Sequence, residues 1–367
     1  MKIELNKNKV YFNNGSLKKE IHPFWLRERV DGEEFLDKGT QQRLFDPTSL
    51  DSEILINRAY INDEFLEIDF NDGVNSKLNI NKLALEFSNE DIIIKSIPKT
   101  KWDSTLKNIK NYEYQDNFFE SKEMHDLLVS FYKYGFVIIK NIPTNNNFIV
   151  KFANSIGSVR KTNFGEYFDV KSKPNPNDLA YTSLNLSPHT DNPYRNPVPC
   201  IQLLHCIENE VSGGLSTLVD GFTVTEDLKN ENLKFYKILC DVKVRFRFID
   251  KEVVLEDWSE LIKLNDDKTF KQVRFSPRMD YVPILDKEKL DLYYKARKKL
   301  SEMYNSKKYK IEFKLVSKDL MMIDNYRLLH GRTAYETKEG NRFLQGCYID
   351  YDSTEGKLRH LKRKFNL

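Results

Sequence analysis

Residues 186–205 of this 367-residue chain read LSPHTDNPYRNPVPCIQLLH. The prolines in this stretch exclude a helix and hold the backbone extended until the apolar run Ile201–His205, which predicts a buried strand. In an extended chain residues i and i+2 point to the same side. His189 and Asp191 are therefore predicted to present an imidazole and a carboxylate to one point.

Short strands with turn signals between them continue toward the C-terminus. The pattern predicts them at Thr217–Val219, Val242–Phe248, Gln272–Phe275, Asp319–Asp324 and Phe343–Asp350. One long amphipathic helix, Lys287–Tyr304, interrupts the series. This succession favours a double-sheet jelly roll over a parallel α/β sheet.

On the N-terminal side, the pattern predicts a helix at Phe118–Tyr134, ended by Gly135, and then a buried strand at Phe136–Lys140. A second helix is predicted at Phe148–Ile156. These elements complete a main domain over residues 113–367.

The first 98 residues are predicted to form a small β-rich domain of their own. Strand-like runs occur at Lys9–Phe12, Phe65–Phe70 and Lys77–Ile80, and Asn71-Asp72-Gly73 suits a tight hairpin turn. The polar stretch Lys95–Tyr112, with Pro98, predicts a linker. The predicted fold class is thus α+β, mainly β.

Charge and composition exclude several classes of protein. The 58 basic and 55 acidic residues leave a net charge of +3, too balanced for a nucleic-acid-binding protein. The N-terminal residues lack a secretory pattern, and the chain has no apolar stretch long enough to span a membrane. The four cysteines form no CxxC pair, which suits a reducing compartment. A cytoplasmic protein without nucleic-acid or membrane partners is expected.

A third residue with metal-ligand chemistry lies far along the chain. His330 follows the apolar run that ends in DNYRLLH, and Gly331 comes next, so it is placed at a strand end. Two histidines and one carboxylate on one face of an octahedron leave three positions open, as in non-haem iron(II) oxygenases. A chelating co-substrate would take two of these positions and dioxygen the third.

Two more residues suit such a co-substrate. Arg342 lies 12 residues after His330, and its guanidinium can hold the distal carboxylate of a 2-oxo-diacid bidentately. Ser216, in GGLST, offers a short hydroxyl beside two glycines. The tripeptide HTD alone is weak evidence, but in this order and spacing the set indicates an oxygenase.

Longer motifs extend this set to a family resemblance. DLAYTSLNLSPHTDNPYRNPVPCIQLLHC (178–206), GGLSTLVDGF (213–222), IDNYRLLHGRTAYETKEGNRFLQGCYIDYD (323–352) and WLRER (25–29) resemble the γ-butyrobetaine dioxygenase and trimethyllysine dioxygenase branch of the taurine-dioxygenase-like oxygenases. The resemblance implies a double-stranded β-helix fold and a homodimer. It also implies that His189, Asp191 and His330 bind Fe(II) and that Ser216 and Arg342 bind 2-oxoglutarate.

The reaction implied by the resemblance is hydroxylation of an unactivated C–H bond in a small trimethylammonium compound, γ-butyrobetaine-like. Dioxygen and 2-oxoglutarate are the co-substrates, and ascorbate is the expected reductant in vitro. The family's aromatic cage for the trimethylammonium group corresponds here to Phe164, Phe168, Tyr181 and Tyr348. Each of these rings could instead be an ordinary core residue.

Two charged positions are compatible with more than one substrate. Asp178 would repel a substrate carboxylate and suits the cationic α-amino group of trimethyllysine, whereas Arg278 could hold an anionic end. A small zwitterion is therefore expected, with 2-trimethylaminoethylphosphonate or trimethyllysine as alternatives to γ-butyrobetaine. An Asp178–Arg278 surface ion pair without a role in binding is the simpler interpretation.

In the N-terminal domain the resemblance breaks down. Relatives hold zinc there with three cysteines and a histidine, whereas the matching cysteine positions here are Val30, Gly32 and Phe35. No thiolate-rich zinc site can form, and His22 is expected to be structural.

Two rival functions are compatible with the same three ligands. A catalytically silent sensor or scaffold that binds 2-oxoglutarate would not need three open metal positions. A zinc-dependent hydrolase with the same two histidines and aspartate would leave Arg342 without a role.

Overall fold

The structure, a computed structural model, describes residues 2–15, 17–87, 92–107, 109–145, 147–171 and 182–367. Contacts divide the chain into two units, Met1–Lys95 and Ser96–Leu367. The class is mixed α and β with several antiparallel sheets, which confirms the predicted class at that level. Among the described helices, none is both long and apolar enough to cross a membrane.

The first unit contains two antiparallel three-stranded sheets. Their strands are Lys2–Asn6, Lys9–Asn13 and Lys18–Glu20 in one sheet, and Ile56–Asn62, Phe65–Phe70 and Asn75–Asn79 in the other. Short helices span Pro23–Arg27, Ile80–Glu86 and Ile92–Lys95, with a 3-10 turn at Pro47–Ser49. In Phe65–Phe70 every second side chain is buried, as expected for a strand with one face on a core.

Apolar and aromatic residues occupy two of the positions that the family resemblance matches to zinc-binding cysteines. Val30 is buried in the core of the unit, and Phe35 packs against that core. The Arg27 guanidinium lies over the rings of Phe35 and Phe45, 5.5 and 5.3 Å from their centroids, and its Nε donates to Asp72 at 2.7 Å. His22 accepts from the Phe24 amide and so caps a helix. These contacts stabilise the core of the unit.

The second unit is built around two sheets that face each other. The smaller sheet contains, in spatial order, Leu186–His189, Leu328–Arg332, Ser216–Asp220 and Lys310–Phe313. The larger contains Asn111–Glu113, Phe136–Lys140, Leu320–Asp324, Ile201–Asn209, Arg342–Ile349 and Phe168–Val170. Buried Leu218 and Leu328 from the smaller sheet share a core with Ile138, Ile323 and Leu344 from the larger one. Among the described strands of this unit, only the pairing of Asn111–Glu113 with Phe136–Lys140 is parallel.

Helices and small sheets complete this unit. The helices are Lys122–Tyr134, Phe148–Asn154, Gly221–Glu231, Leu233–Asp241, Lys287–Asn305 and Tyr351–Phe365, with 3-10 turns at Phe118–Glu120 and Thr337–Glu339. The further strands are Val244–Ile249, Val254–Ser259 and Asp280–Tyr281, and Ile262–Leu264 with Phe270–Val273. The helix predicted from Phe118 begins at Lys122, because the Ser121 hydroxyl accepts from the Met124 amide and caps it there.

The stretch assigned to a linker contains residues that pack onto the second unit. Trp102 is buried, and its indole N–H donates to the Tyr134 carbonyl at 2.7 Å. The Thr100 amide donates to the Lys133 carbonyl at 2.8 Å. Polar composition predicted a linker here, and in the structure one large aromatic side chain and a backbone hydrogen bond hold residues 100 and 102 in place.

A buried ion pair joins two strands of the smaller sheet. Asp220 ends one strand, and Arg327 directly precedes the strand that carries His330. The Arg327 guanidinium donates to both Asp220 oxygens, at 3.0 and 2.7 Å, and to the carbonyls of Lys133 and Thr100. The two side chains are 1% and 0% exposed, so each charge depends on the other.

Arg327→Leu is expected to lower the free energy of unfolding by about 3–5 kcal/mol, because Asp220 is left as an uncompensated buried charge. Urea denaturation followed by circular dichroism measures this loss. Lys298→Ala is the matched control, since its pairing with Glu302 is exposed and should change stability by less than about 1 kcal/mol. Equal effects of the two variants would show that the buried pair does not hold the strands.

Candidate active site

The two predicted histidine ligands lie opposite each other on neighbouring strands. His189 ends Leu186–His189 and pairs in antiparallel register with His330 on Leu328–Arg332. Directly paired residues project from the same face of a sheet, and the two imidazole centroids are 4.5 Å apart. The strands can come this close because Gly331 has no side chain: a Cβ there would lie 2.4 Å from the Leu186 carbonyl oxygen.

Asp191 completes the group two residues beyond the strand end. Its Oδ1 lies 3.4 Å from His189 Nε2 and 3.6 Å from His330 Nε2. Ligands about 2.1 Å from one metal ion and at right angles to each other are roughly 3 Å apart, close to these separations. Within the described ranges, this is the one group of histidine, cysteine and acidic side chains with such convergence.

Backbone contacts hold the HTD turn in place. The Asn325 side chain accepts from the Asp191 amide at 2.8 Å and donates to the Asp191 carbonyl at 3.1 Å and the Pro199 carbonyl at 2.9 Å. Thr190 exchanges two hydrogen bonds with the backbone of Phe275. Sequence reasoning missed Asn325, although it lies within the DNYRLLH motif.

The protonation states suit metal binding. Burial lowers the pKa of His330 to about 4, so that its imidazole is neutral at pH 7 with a lone pair to give. Although burial opposes it, the pKa of Asp191 lies below its usual range, because the two imidazoles and the Tyr348 hydroxyl stabilise the carboxylate. A neutral His189 would donate from Nδ1 to the Ser187 carbonyl at 3.0 Å, leaving Nε2 free for a metal. These donors fit an iron(II) ion.

A cavity beside the three ligands is lined by cationic and apolar groups. Its walls include His189, Asp191, His330, Ser216, Arg332, Arg342, Leu186, Leu204, Met321 and Leu344. Ser216 and Arg342 thus line the same cavity as the three candidate metal ligands. Arg342 is buried, which lowers its pKa to about 10, and the charge of Arg332 adds to this shift.

Arg332 is a second buried guanidinium that sequence reasoning did not assign. It lies opposite Ser216 in the strand register and two residues after His330, on the same strand face. The alternation in HGR was the available signal. Gly214, with φ +63°, lets Arg342 approach, since a Cβ there would lie 2.8 Å from Arg342 Nε. Two neighbouring buried cations make this cavity suitable for a dianion.

A second cavity, the aromatic pocket, adjoins His189 and Asp191. It is lined by Phe164, Phe168, Tyr194, Phe248, Tyr348, Asn192, Ser276, Arg278 and Met279, and it shares Phe168, Val170, His189 and Asp191 with the first cavity. The two cavities therefore meet at the candidate metal ligands.

The rings of the aromatic pocket are in mutual contact. Phe168 and Tyr348 have centroids 5.4 Å apart, Phe164 and Phe248 5.7 Å, and Tyr194 and Phe248 4.9 Å. Phe164, Phe168 and Tyr348 were expected, whereas Tyr194 and Phe248 were missed. Tyr194 lies within the motif of residues 178–206. Phe248 lies on the strand Val244–Ile249, where no sequence motif indicates a site. Asp178 and Tyr181 lie outside the described residues.

The chain is similar to a known protein family and to several characterised proteins. A model of the "Taurine catabolism dioxygenase TauD, TfdA family" matches residues 105–348. A γ-butyrobetaine dioxygenase from Pseudomonas sp. (strain AK-1) is 27% identical over 94% of this chain and 91% of its own. The human γ-butyrobetaine dioxygenase is 31% identical over 72% of this chain and 69% of its own.

A mitochondrial trimethyllysine dioxygenase from Bos taurus is 26% identical over 92% of this chain and 82% of its own. Among solved structures, an asparagine oxygenase superposes with a TM-score of 0.51 at 12% identity, covering 66% of this chain and 93% of that one. This last likeness concerns the fold alone.

Proposed function

Because the chain belongs to the taurine catabolism dioxygenase TauD, TfdA family and is an iron(II)- and 2-oxoglutarate-dependent dioxygenase, we propose that it hydroxylates a small trimethylammonium zwitterion, γ-butyrobetaine-like. The observation that carries this proposal is the aromatic pocket, which adjoins Asp191 and His189. The two facing sheets of the second unit are proposed to form the family's double-stranded β-helix.

His189, Asp191 and His330 would hold the iron, and the Arg342 guanidinium with Ser216 would hold 2-oxoglutarate. When bound, iron(II) and 2-oxoglutarate supply dioxygen activation, with release of succinate and carbon dioxide. The protein itself would bind the substrate and position one of its C–H bonds at the metal side of the aromatic pocket.

The aromatic pocket suits a quaternary ammonium. Such a cation has no N–H to donate, and it is attracted to the negative faces of aromatic rings. Phe164, Phe168 and Tyr348 each contribute a ring, and Tyr194 and Phe248 extend the wall. A pocket intended for a purely aliphatic substrate would not need this number of rings.

Polar groups in the same pocket support an acidic far end on the substrate. Arg278 lines it. Asn192 Nδ2 and Ser276 Oγ are buried, and neither has a hydrogen-bond partner within the part of the chain that the structure describes. A carboxylate or phosphonate could accept from all three groups.

The test is succinate release from 2-oxoglutarate under iron(II), ascorbate and air, with γ-butyrobetaine, trimethyllysine, 2-trimethylaminoethylphosphonate and taurine as candidates. Strong stimulation by one trimethylated compound is expected. Stimulation by taurine alone would retain the oxygenase and reject the cage. Silence with every compound, with iron bound, would favour the sensor. Consumption of a candidate compound that continues without succinate release after zinc replaces iron would favour a hydrolase.

Gly346→Ala is expected to weaken binding of the trimethylated substrate about 10-fold or more. A Cβ at Gly346 would lie 2.4 Å from the Phe168 ring and displace that ring. Inhibition of turnover by tetramethylammonium measures the cage directly. Gly356→Ala is the control, since a Cβ there meets nothing within 4 Å. Unchanged affinity in Gly346→Ala would argue against a role of Phe168 in the cage.

A further inference from the structure

The two oxygens of Asp191 have different surroundings. Oδ1 faces the Nε2 atoms of His189 and His330. Oδ2 accepts one hydrogen bond from Gln202 Nε2 at 2.5 Å and another from the Tyr348 hydroxyl at 2.7 Å. The carboxylate is therefore divided between a metal-facing oxygen and a hydrogen-bonded one.

The two donors are placed by the register of the larger sheet. Gln202 on Ile201–Asn209 and Tyr348 on Arg342–Ile349 are directly paired residues of neighbouring antiparallel strands. Their side chains project from the same face and reach the same oxygen. Both donors are buried.

We propose that Gln202 and Tyr348 are positioning residues that hold Asp191 as a one-oxygen metal ligand and prevent it from binding the metal through both oxygens. Two donors occupy the lone pairs of Oδ2, which a second metal bond would need. This arrangement leaves three coordination positions for the co-substrates, whereas a two-oxygen carboxylate would take one of them. The inference rests on the metal assignment in the proposed function and is independent of which substrate is hydroxylated.

The Tyr348 hydroxyl therefore has a role separate from that of the Tyr348 ring. The ring lines the aromatic pocket, while the hydroxyl contacts Asp191. Tyr348→Phe separates the two roles, because it keeps the ring and removes the donor. Tyr194→Phe is a matched control: its ring lines the same pocket, but its hydroxyl donates to Asn192 instead of Asp191.

The experiment is titration of the apoprotein with cobalt(II), followed by the visible absorption of the bound ion, before and after addition of 2-oxoglutarate. Cobalt(II) is used because its absorption reports coordination number. Tyr348→Phe and Gln202→Leu are expected to bind cobalt(II) about 10- to 100-fold more weakly and to show an altered spectrum. Tyr194→Phe should match the parent protein in both respects.

Thermal unfolding of the apoproteins separates positioning from general damage. Tyr348→Phe should retain the melting temperature of Tyr194→Phe while differing from it in the cobalt(II) spectrum. Parent-like cobalt(II) affinity and spectrum in both Tyr348→Phe and Gln202→Leu would overturn the inference. Failure of the parent protein to bind cobalt(II) would overturn the metal assignment itself, and silence in the substrate assay would affect neither result.

Discussion

His189→Ala is expected to abolish both metal binding and turnover. The imidazole is one of three candidate ligands, and among the described residues no further histidine, cysteine or acidic side chain belongs to the group. Loss of a direct ligand should weaken metal affinity by at least the roughly 100-fold that follows loss of an outer-shell partner. Metal content after dialysis and succinate release under iron(II) measure the two effects.

His360→Ala is the control for this change. His360 is exposed and pairs with Glu120 on the surface, away from the site, so iron content and turnover should stay at parental levels. An active His189→Ala protein with unchanged metal content would reject the assignment of the three ligands.

Arg342→Ala is expected to raise the KM for 2-oxoglutarate about 100- to 1,000-fold and the KM for the hydroxylated substrate far less. The guanidinium is buried in the cavity beside the metal ligands, where a charged contact to a carboxylate is worth about 3–4 kcal/mol. The substrate's aromatic pocket does not include Arg342. Initial rates with each compound varied in turn measure the two constants.

Arg342→Lys distinguishes charge from geometry at this position. A lysine keeps the positive charge but lacks the planar fork that binds a carboxylate bidentately, so an intermediate KM for 2-oxoglutarate is expected. Equal increases for both compounds in Arg342→Ala would show that the residue supports the whole site. In that case Arg332, the other buried cation of the cavity, would become the candidate for 2-oxoglutarate binding.

Local patterns predicted most of the elements that build the site. Proline-imposed extension placed His189 and Asp191 on one side, and the apolar runs predicted strands at or within two residues of Phe136–Lys140, Leu320–Asp324 and Arg342–Ile349. These predictions succeed because residues within one strand alternate between its two faces whatever the strand pairs with. The mixed class with antiparallel sheets was confirmed for the same reason.

Several elements were missed where the local pattern is weak. The C-terminal helix Tyr351–Phe365 carries many charged residues, and the strand Val254–Ser259 has one exposed face and a second face that is mostly only partly buried. Trp102 was assigned to a linker because its neighbours are polar. In each case the decisive contacts come from residues distant in sequence.

By itself, the sequence determined the chemistry available to this protein: two imidazoles, a carboxylate, a guanidinium and a set of aromatic rings on extended segments. Only the tertiary structure decided which of them meet. Strand register sets His189 opposite His330 and Gln202 opposite Tyr348, and folding brings Arg332 beside Arg342 and Phe248 into the aromatic pocket. The physical reason is that side-chain alternation is a local property of the backbone, whereas register and sheet packing depend on residues far apart in the chain.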